Sequence, residues 1–350
     1  MSAGEAGTQG AGVAELRTRI LLAALAVVSL STVAVLLTPS PAQAEGASIL
    51  RPASPNASEI RSLAFYVLLI VSGIFLVVEG LLIASIVRFR NRPESEVPQT
   101  HGNRRLETVW TLIPAILVIV IFALTVNTMQ ALDLPGGEVQ VEVTGHQWWW
   151  EVRYPGTEAV VANEIHVPVQ RGIGVTLTSA DVIHSFWVPQ IGGKTDLVPG
   201  HTNHTSFLAA TPGRYHGECA EFCGLQHAGM RFWLVVEDAA DFSAWLKHQA
   251  EPAAEPTDPQ AVAGKEVFLS MPCGGCHAIR GTEARGNIAP DLTHVGSRLS
   301  LAAGTLDNTS ENLRRWLRDP QAVKPGNKMP TPQLTNEQLD QLTAYLEGLE

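Results

Sequence analysis

Positive charge is scarce in this chain, and so is cysteine. Lys and Arg number 24 against 34 Asp and Glu, for a formal net charge of −10. No basic patch stands out, which excludes nucleic acid as a partner. The two long apolar runs at 63–87 and 108–130 contain no histidine, so imidazole-held cofactors inside a membrane are excluded from this chain. There is no strand–helix–strand pattern around any cysteine, and no large His-rich domain.

The apolar runs organise the rest. Arg17 and Arg19 precede an uncharged stretch from Ile20 to Leu37, followed by Pro39, Pro41 and Ala42-Gln43-Ala44. This reads as a secretory signal peptide over residues 1–44, although the stretch is also long enough for a retained helix. A transmembrane hairpin is expected at 60–131, with helices at about 63–88 and 108–130, since about 20 apolar residues span a bilayer. Arg88, Arg90, Arg92, Arg104 and Arg105 lie between the two runs. That cluster puts the connecting loop on the cytoplasmic side and everything after it outside. The expected location is therefore the cell membrane, with two helices after signal removal. Glu79 lies within the first span and has no assigned role. Glu107 opens the second span, where a carboxylate favours the positive end of a helix.

Residues 138–248 break into short β-type runs, such as Val139 to Val143, Ile173 to Leu177 and Phe232 to Val236. Glycine and proline separate them, as in an all-β sandwich or barrel. An Ala/Glu/Pro stretch at 249–258 reads as a semi-extended linker. Residues 259–350 have a helical texture. Asp258-Pro259 resembles a helix start, and Thr335 with Gln338 resembles a capping box ahead of Leu339, Leu342, Leu346 and Leu349.

The four cysteines form two close pairs, each among other ligand-type residues. The run from Cys219 to Met230 holds Cys219, Cys223, His227 and Met230. Soft sulfur with imidazole favours copper or zinc. Two bridging thiolates could hold two coppers, each needing an imidazole; His227 supplies one and His184 is the best second candidate. Structural zinc and disulfides are the competing readings. Cys273-Gly274-Gly275-Cys276-His277 is a C-x-x-C-H haem-attachment pattern. Met329 is the candidate sixth ligand, with His294 a weaker alternative and Met271 too near the attachment site.

These motifs resemble subunit II of cytochrome c oxidases. The resemblance rests on Cys219 to Met230, on Gly145-His146-Gln147-Trp148-Trp149-Trp150, on Lys194-Thr195-Asp196, and on Glu107-Thr108 through Pro114-Ala115. It implies a Greek-key cupredoxin with a binuclear copper A centre. Cys219 and Cys223 would bridge the metals, His184 and His227 would be terminal ligands, and Met230 and the Glu221 carbonyl would be weak ligands. The Glu221 carboxylate would reach a magnesium site shared with subunit I, near Asp196. Trp148 would be the electron-entry residue, and Glu107 the mouth of a proton path. The C-terminal region is similar to class I cytochromes c, with Cys273 and Cys276 holding haem c and His277 and Met329 on its iron. Together they resemble a caa3-type subunit in a multidomain membrane protein. Its expected partners are subunits I and III, and a cytochrome c or bc1-type reductase as donor. The competing reading is a membrane-tethered copper-binding or copper-delivery module with no catalytic partner.

Overall fold

The computed structural model describes residues 48–90, 102–132 and 137–350. The expected signal peptide and Arg92 lie outside the described residues.

Two long helices, α1 (Pro55–Phe89) and α2 (Arg104–Leu132), are long and apolar enough to cross a membrane. Each begins earlier than its apolar run, because a polar cap rather than hydropathy sets the start. Ser54 Oγ accepts the Ala57 N–H at 3.0 Å, and Pro55 follows it at the first helical position. Asn103 Oδ1 accepts from Arg105 and Leu106, while Glu107 Oε1 accepts the Asn103 N–H at 3.2 Å. This reciprocal pair works like a capping box, with the carboxylate one position later than N3. Large apolar side chains such as Leu69, Leu76, Ile119 and Phe122 are exposed along these helices, as expected of surfaces that face lipid or other membrane helices.

Among the described residues, twelve strands and five further helices follow. In chain order the first ten strands are β1 (Val139–His146), β2 (Trp149–Arg153), β3 (Val160–Ala162), β4 (Glu164–Pro168), β5 (Gly172–Ser179), β6 (His184–Trp187), β7 (Thr195–Leu197), β8 (Asn203–Leu208), β9 (Gly213–Cys219) and β10 (Arg231–Glu237). They form two five-stranded sheets, ordered β3-β2-β1-β5-β8 and β4-β10-β9-β6-β7. Pairing is antiparallel except at β1 with β5 and at β10 with β4. Alternation along β1 sends Val141 and Val143 into the core, where they meet Trp150, Ile165, Leu177, Phe232 and Leu234. The sandwich is not purely β. Helix α3 (Ala239–Ala250) closes it, burying Phe242 beside Tyr154. The sequence reading placed this stretch inside the β region and did not separate it as a helix.

The C-terminal region holds α4 (Pro259–Ser270), the small hairpin β11 (Ser300–Leu301) and β12 (Leu306–Asp307), α5 (Ser310–Arg318), α6 (Pro320–Val323) and α7 (Asn336–Glu347). Asp258 caps α4 through the Ala261 N–H. Thr335 and Gln338 form the capping box of α7. Helices α4 and α7 cross at Gly264, where an added Cβ would lie 2.0 Å from the Gln341 carbonyl oxygen. Only hydrogen lets the backbones approach this closely. Leu339, Leu342, Leu346 and Leu349 are all buried. The connecting stretch is not a free tether: the Ala253 N–H donates to Arg280 O, and Glu251 O accepts from His294.

Candidate functional site

The sulfur cluster is assembled at one end of the second sheet. Cys219 ends β9, His184 begins β6, and Cys223, His227 and Met230 lie on the loop between β9 and β10. The Phe186–Cys219 register brings the β6 start alongside the cysteine. Gly145 is required here, because a Cβ on it would lie 2.8 Å from His184 Cδ2.

The two cysteine sulfurs lie 3.8 Å apart and both thiols are free. His184 Nδ1 is 4.0 Å from Cys219 Sγ, and His227 Nδ1 is 3.7 Å from Cys223 Sγ. Met230 Sδ lies 3.8 Å from Cys223 Sγ, and the Glu221 carbonyl lies 3.2 Å from Cys219 Sγ. His184, Cys219 and Cys223 present their ligand atoms within 4.8 Å of one another. Cys219, Cys223, His184 and Met230 are all buried.

The electrostatics favour metal binding. The contact with Cys223, helped by His184 and by backbone groups of Ser185 and Glu221, outweighs burial and holds the Cys219 thiol well below its ordinary value. The same coupling, with burial, pushes Cys223 up. A bound cation takes cysteine as thiolate and releases its protons. His184 Nε2 lies 2.9 Å from Asp181 Oδ1, which orients the ring with Nδ1 toward the sulfurs. Asp181 is itself held by the Gln147 and Val182 N–H groups. No sequence signal singled out Asp181 for this role.

This donor set fits copper better than zinc. A four-ligand zinc site would use both thiolates and both imidazoles, leaving the nearby thioether and carbonyl without purpose. Soft thiolate and thioether donors with imidazole suit copper.

The three consecutive tryptophans separate into distinct environments. Trp150 is fully buried and meets Phe232 edge-on at 5.3 Å. Trp149 stacks on His146 at 4.2 Å. Trp148 is half-buried and its Nε1 donates to Cys223 O at 2.9 Å, beside a second donor from Gln147 Nε2. Only Trp148 therefore touches the sulfur loop. The Glu221 and Asp196 side chains are exposed.

In the C-terminal region a short 3-10 turn, Pro272–Gly275, presents Cys273, with Cys276 next to it. Cys273, Leu292 and Met329 pack against the same apolar cluster, which includes Phe268 and Leu317. His277 Nδ1 donates to Pro290 O at 2.7 Å, which leaves Nε2 as the free nitrogen. Burial holds this imidazole below its ordinary value, so it is neutral, as iron ligation requires. The Met329 loop is fastened from within. Gln321 Nε2 donates to Asn327 O and Met329 O, and the Met329 N–H donates to Asn327 Oδ1. His294 is spent elsewhere, with its ring nitrogens on Glu350 O and Glu251 O. The Arg298 Nε is buried without a partner, which suits the carboxylate of a porphyrin side chain. These residues fit a covalently held haem.

The family model for the cytochrome c oxidase subunit II transmembrane domain matches residues 42–127, and that for its periplasmic domain matches 158–238. A cytochrome c model matches 261–350. Cytochrome c oxidase subunit 2 of Alkalihalophilus pseudofirmus is 36% identical over 316 residues, covering 87% of this chain and 92% of the relative. The subunit 2 of Bacillus sp. strain PS3 is 37% identical over 286 residues, covering 75% and 80%. Among solved structures, the periplasmic domain of subunit II from Bradyrhizobium japonicum is 34% identical over 33% of this chain and 96% of that one, with a TM-score of 0.33. The membrane helices, the sulfur-rich cupredoxin and the haem-binding C-terminal domain of this chain each match one of these models, and the chain belongs to the cytochrome c oxidase subunit 2 family, as the electron-accepting, copper- and haem-binding membrane subunit of an oxygen-reducing oxidoreductase.

Proposed function

We propose that this subunit takes electrons from a cytochrome c or bc1-type reductase and delivers them to subunit I, in a caa3-type oxidase that also contains subunit III. When bound, the haem and copper supply one-electron chemistry. Cys273 and Cys276 would attach haem c, and His277 and Met329 would hold its iron. Cys219 and Cys223 would hold two copper ions together with His184 and His227, with Met230 and the Glu221 carbonyl as weak ligands.

One observation carries the binuclear reading. Each imidazole flanks a different sulfur, His184 beside Cys219 and His227 beside Cys223. The thioether and the Glu221 carbonyl divide the same way, at 3.8 Å from Cys223 and 3.2 Å from Cys219. A mononuclear site needs one cysteine; this arrangement offers two equivalent halves.

The remaining roles follow from position. Trp148 reaches the sulfur loop through its hydrogen bond to Cys223 O, and is the residue through which electrons enter the copper site. The exposed Glu221 carboxylate, with Asp196, serves a magnesium site at the subunit I boundary. Glu107, at the α2 cap, stands at the entrance of a proton path into subunit I. The arginines at the facing ends of the two membrane helices, Arg88, Arg90, Arg104 and Arg105, support a hairpin turn on the cytoplasmic face of the cell membrane, with both redox domains outside.

Electron spin resonance of the purified, copper-loaded oxidase tests the central claim. One unpaired electron shared equally by two coppers is expected. A mononuclear pattern, or full oxygen consumption by Cys219→Ser and Cys223→Ser variants, would overturn it.

A further inference from the structure

The two redox domains meet face to face, and one side chain stands between them. Lys324 closes α6 and is only 4% exposed. An ammonium has three N–H groups, and three backbone carbonyls receive them. These are Gly229 O at 2.8 Å, Trp148 O at 3.0 Å and Ala302 O at 3.1 Å. Among the described residues no carboxylate pairs with it.

The acceptors are chosen from the working parts of the molecule. Trp148 is the residue whose indole donates to Cys223 O. Gly229 immediately precedes Met230, and Ala302 belongs to the haem domain, as Lys324 does. Lys324 also lies on the loop that ends in Met329. One amino group therefore joins the haem-ligand loop, the copper-ligand loop and the electron-entry residue.

The surroundings are built to the same end. Ala302 and Ala303 adopt positive φ of 51° and 57°, ahead of Gly304 at 72°. Residues with a Cβ avoid this left-handed conformation. Here it aims the Ala302 carbonyl at Lys324 and the Ala303 carbonyl at the Arg231 N–H, 3.1 Å away. Gln226 Nε2 donates across the same boundary to Pro325 O. Lys328 lies 3.5 Å from Asp181, the carboxylate that orients His184.

We infer that Lys324 is a positioning residue for electron transfer between the domains. It pins the Met329 loop onto Trp148 and the Gly229–Met230 turn, so that the fused cytochrome rests docked on the copper domain. This rests on the proposed roles of the two centres. An apolar side chain of similar length would fill the space but take the donor from Trp148 O and Gly229 O, whereas Ala302 O would keep the Thr305 hydroxyl; carbonyls left without a donor in a contact are costly. A donor docked in this way covers the Trp148 surface, so soluble donors reach copper through the haem domain.

The test uses the assembled oxidase with Lys324→Met, Lys324→Arg and Gln226→Ala. Two quantities are read: hydrogen exchange of segments 145–152, 225–232 and 299–306, and the rate at which one electron leaves ferrous haem c and reduces the copper centre after a light-driven pulse of reductant. In Lys324→Met all three segments lose protection together, and the transfer slows about tenfold or more. Copper resonance and haem absorption stay as in the parent, and Lys324→Arg recovers part of both losses. Gln226→Ala sits at the edge of the contact and gives a smaller loss in the same segments, which keeps the test open if Lys324→Met fails to assemble. Unchanged exchange or an unchanged transfer rate in Lys324→Met overturns the inference, as does unchanged exchange in Gln226→Ala where Lys324→Met does not assemble. Absence of a shared-copper signal in the parent would instead sink the proposed function, and the exchange data would still report on docking.

Discussion

Gly264 offers the sharpest perturbation of the haem domain. In Gly264→Ala the new methyl would sit 2.0 Å from Gln341 O and 2.6 Å from its carbonyl carbon, whereas real contacts stay above 3.0 Å. The obstacle is backbone, so it cannot swing aside, and α4 must part from α7 by about 1 Å. A gap of that size forfeits a quarter to a half of each dispersion contact across it. The affected contacts include the Phe268–Tyr345 pair, whose rings lie 6.1 Å apart. Overpacking of this kind costs about 3 kcal/mol. Replacing a mid-helix glycine by alanine returns about 1 kcal/mol. The net loss is about 2 kcal/mol, which for a domain of this size lowers its melting temperature by about 10 °C. Haem absorbance followed during heating reports that transition, while copper resonance follows the other domain and should not move. A variant that melts at the parent's temperature or higher would refute the close-packing argument.

Other outcomes follow from the same geometry. Asp181→Ala frees His184 Nε2 and should weaken copper binding about 10- to 100-fold in a chelator competition; Asp181→Asn, which can still accept that hydrogen bond, should lose less. Trp150→Ala empties the centre of the sandwich and should cost about 3–5 kcal/mol in denaturant unfolding of the copper domain. His166 lies between Glu164 and Glu237, at 2.7 and 2.9 Å. Burial alone would lower its pKa, but the two carboxylates outweigh it and raise it. A raised pKa means that this stabilisation is complete below pH 6.5 and is lost as pH climbs through the folded value. The same Glu164 accepts the Leu299 N–H of the haem domain, so Leu299 protection should fall over that window. His166→Gln should abolish the pH dependence; an unchanged slope in that variant would count against the cluster.

Much of the chemistry was legible along the chain because its ligands are sequence neighbours. Four of the copper-site side chains fall between Cys219 and Met230, and C-x-x-C-H is contiguous, so spacing alone announces them. The helices were equally open to reading where hydropathy or a cap defines them, as at Asp258 and Thr335. Their true starts at Pro55 and Arg104 were not, since Ser54 and Asn103 act through local hydrogen bonds that leave no hydrophobic trace. Nor was α3, whose apolar residues serve a β core.

The sequence by itself determined which atoms could hold metal and porphyrin, because ligand identity is a property of side chains. Tertiary structure decided which tryptophan of three touches the sulfur loop, that Asp181 orients His184, and that His294 is occupied by carbonyls. It alone revealed Lys324, an ordinary surface-type residue by composition. Its meaning arises from carbonyls at 148, 229 and 302, and only folding brings those three within reach of one ammonium.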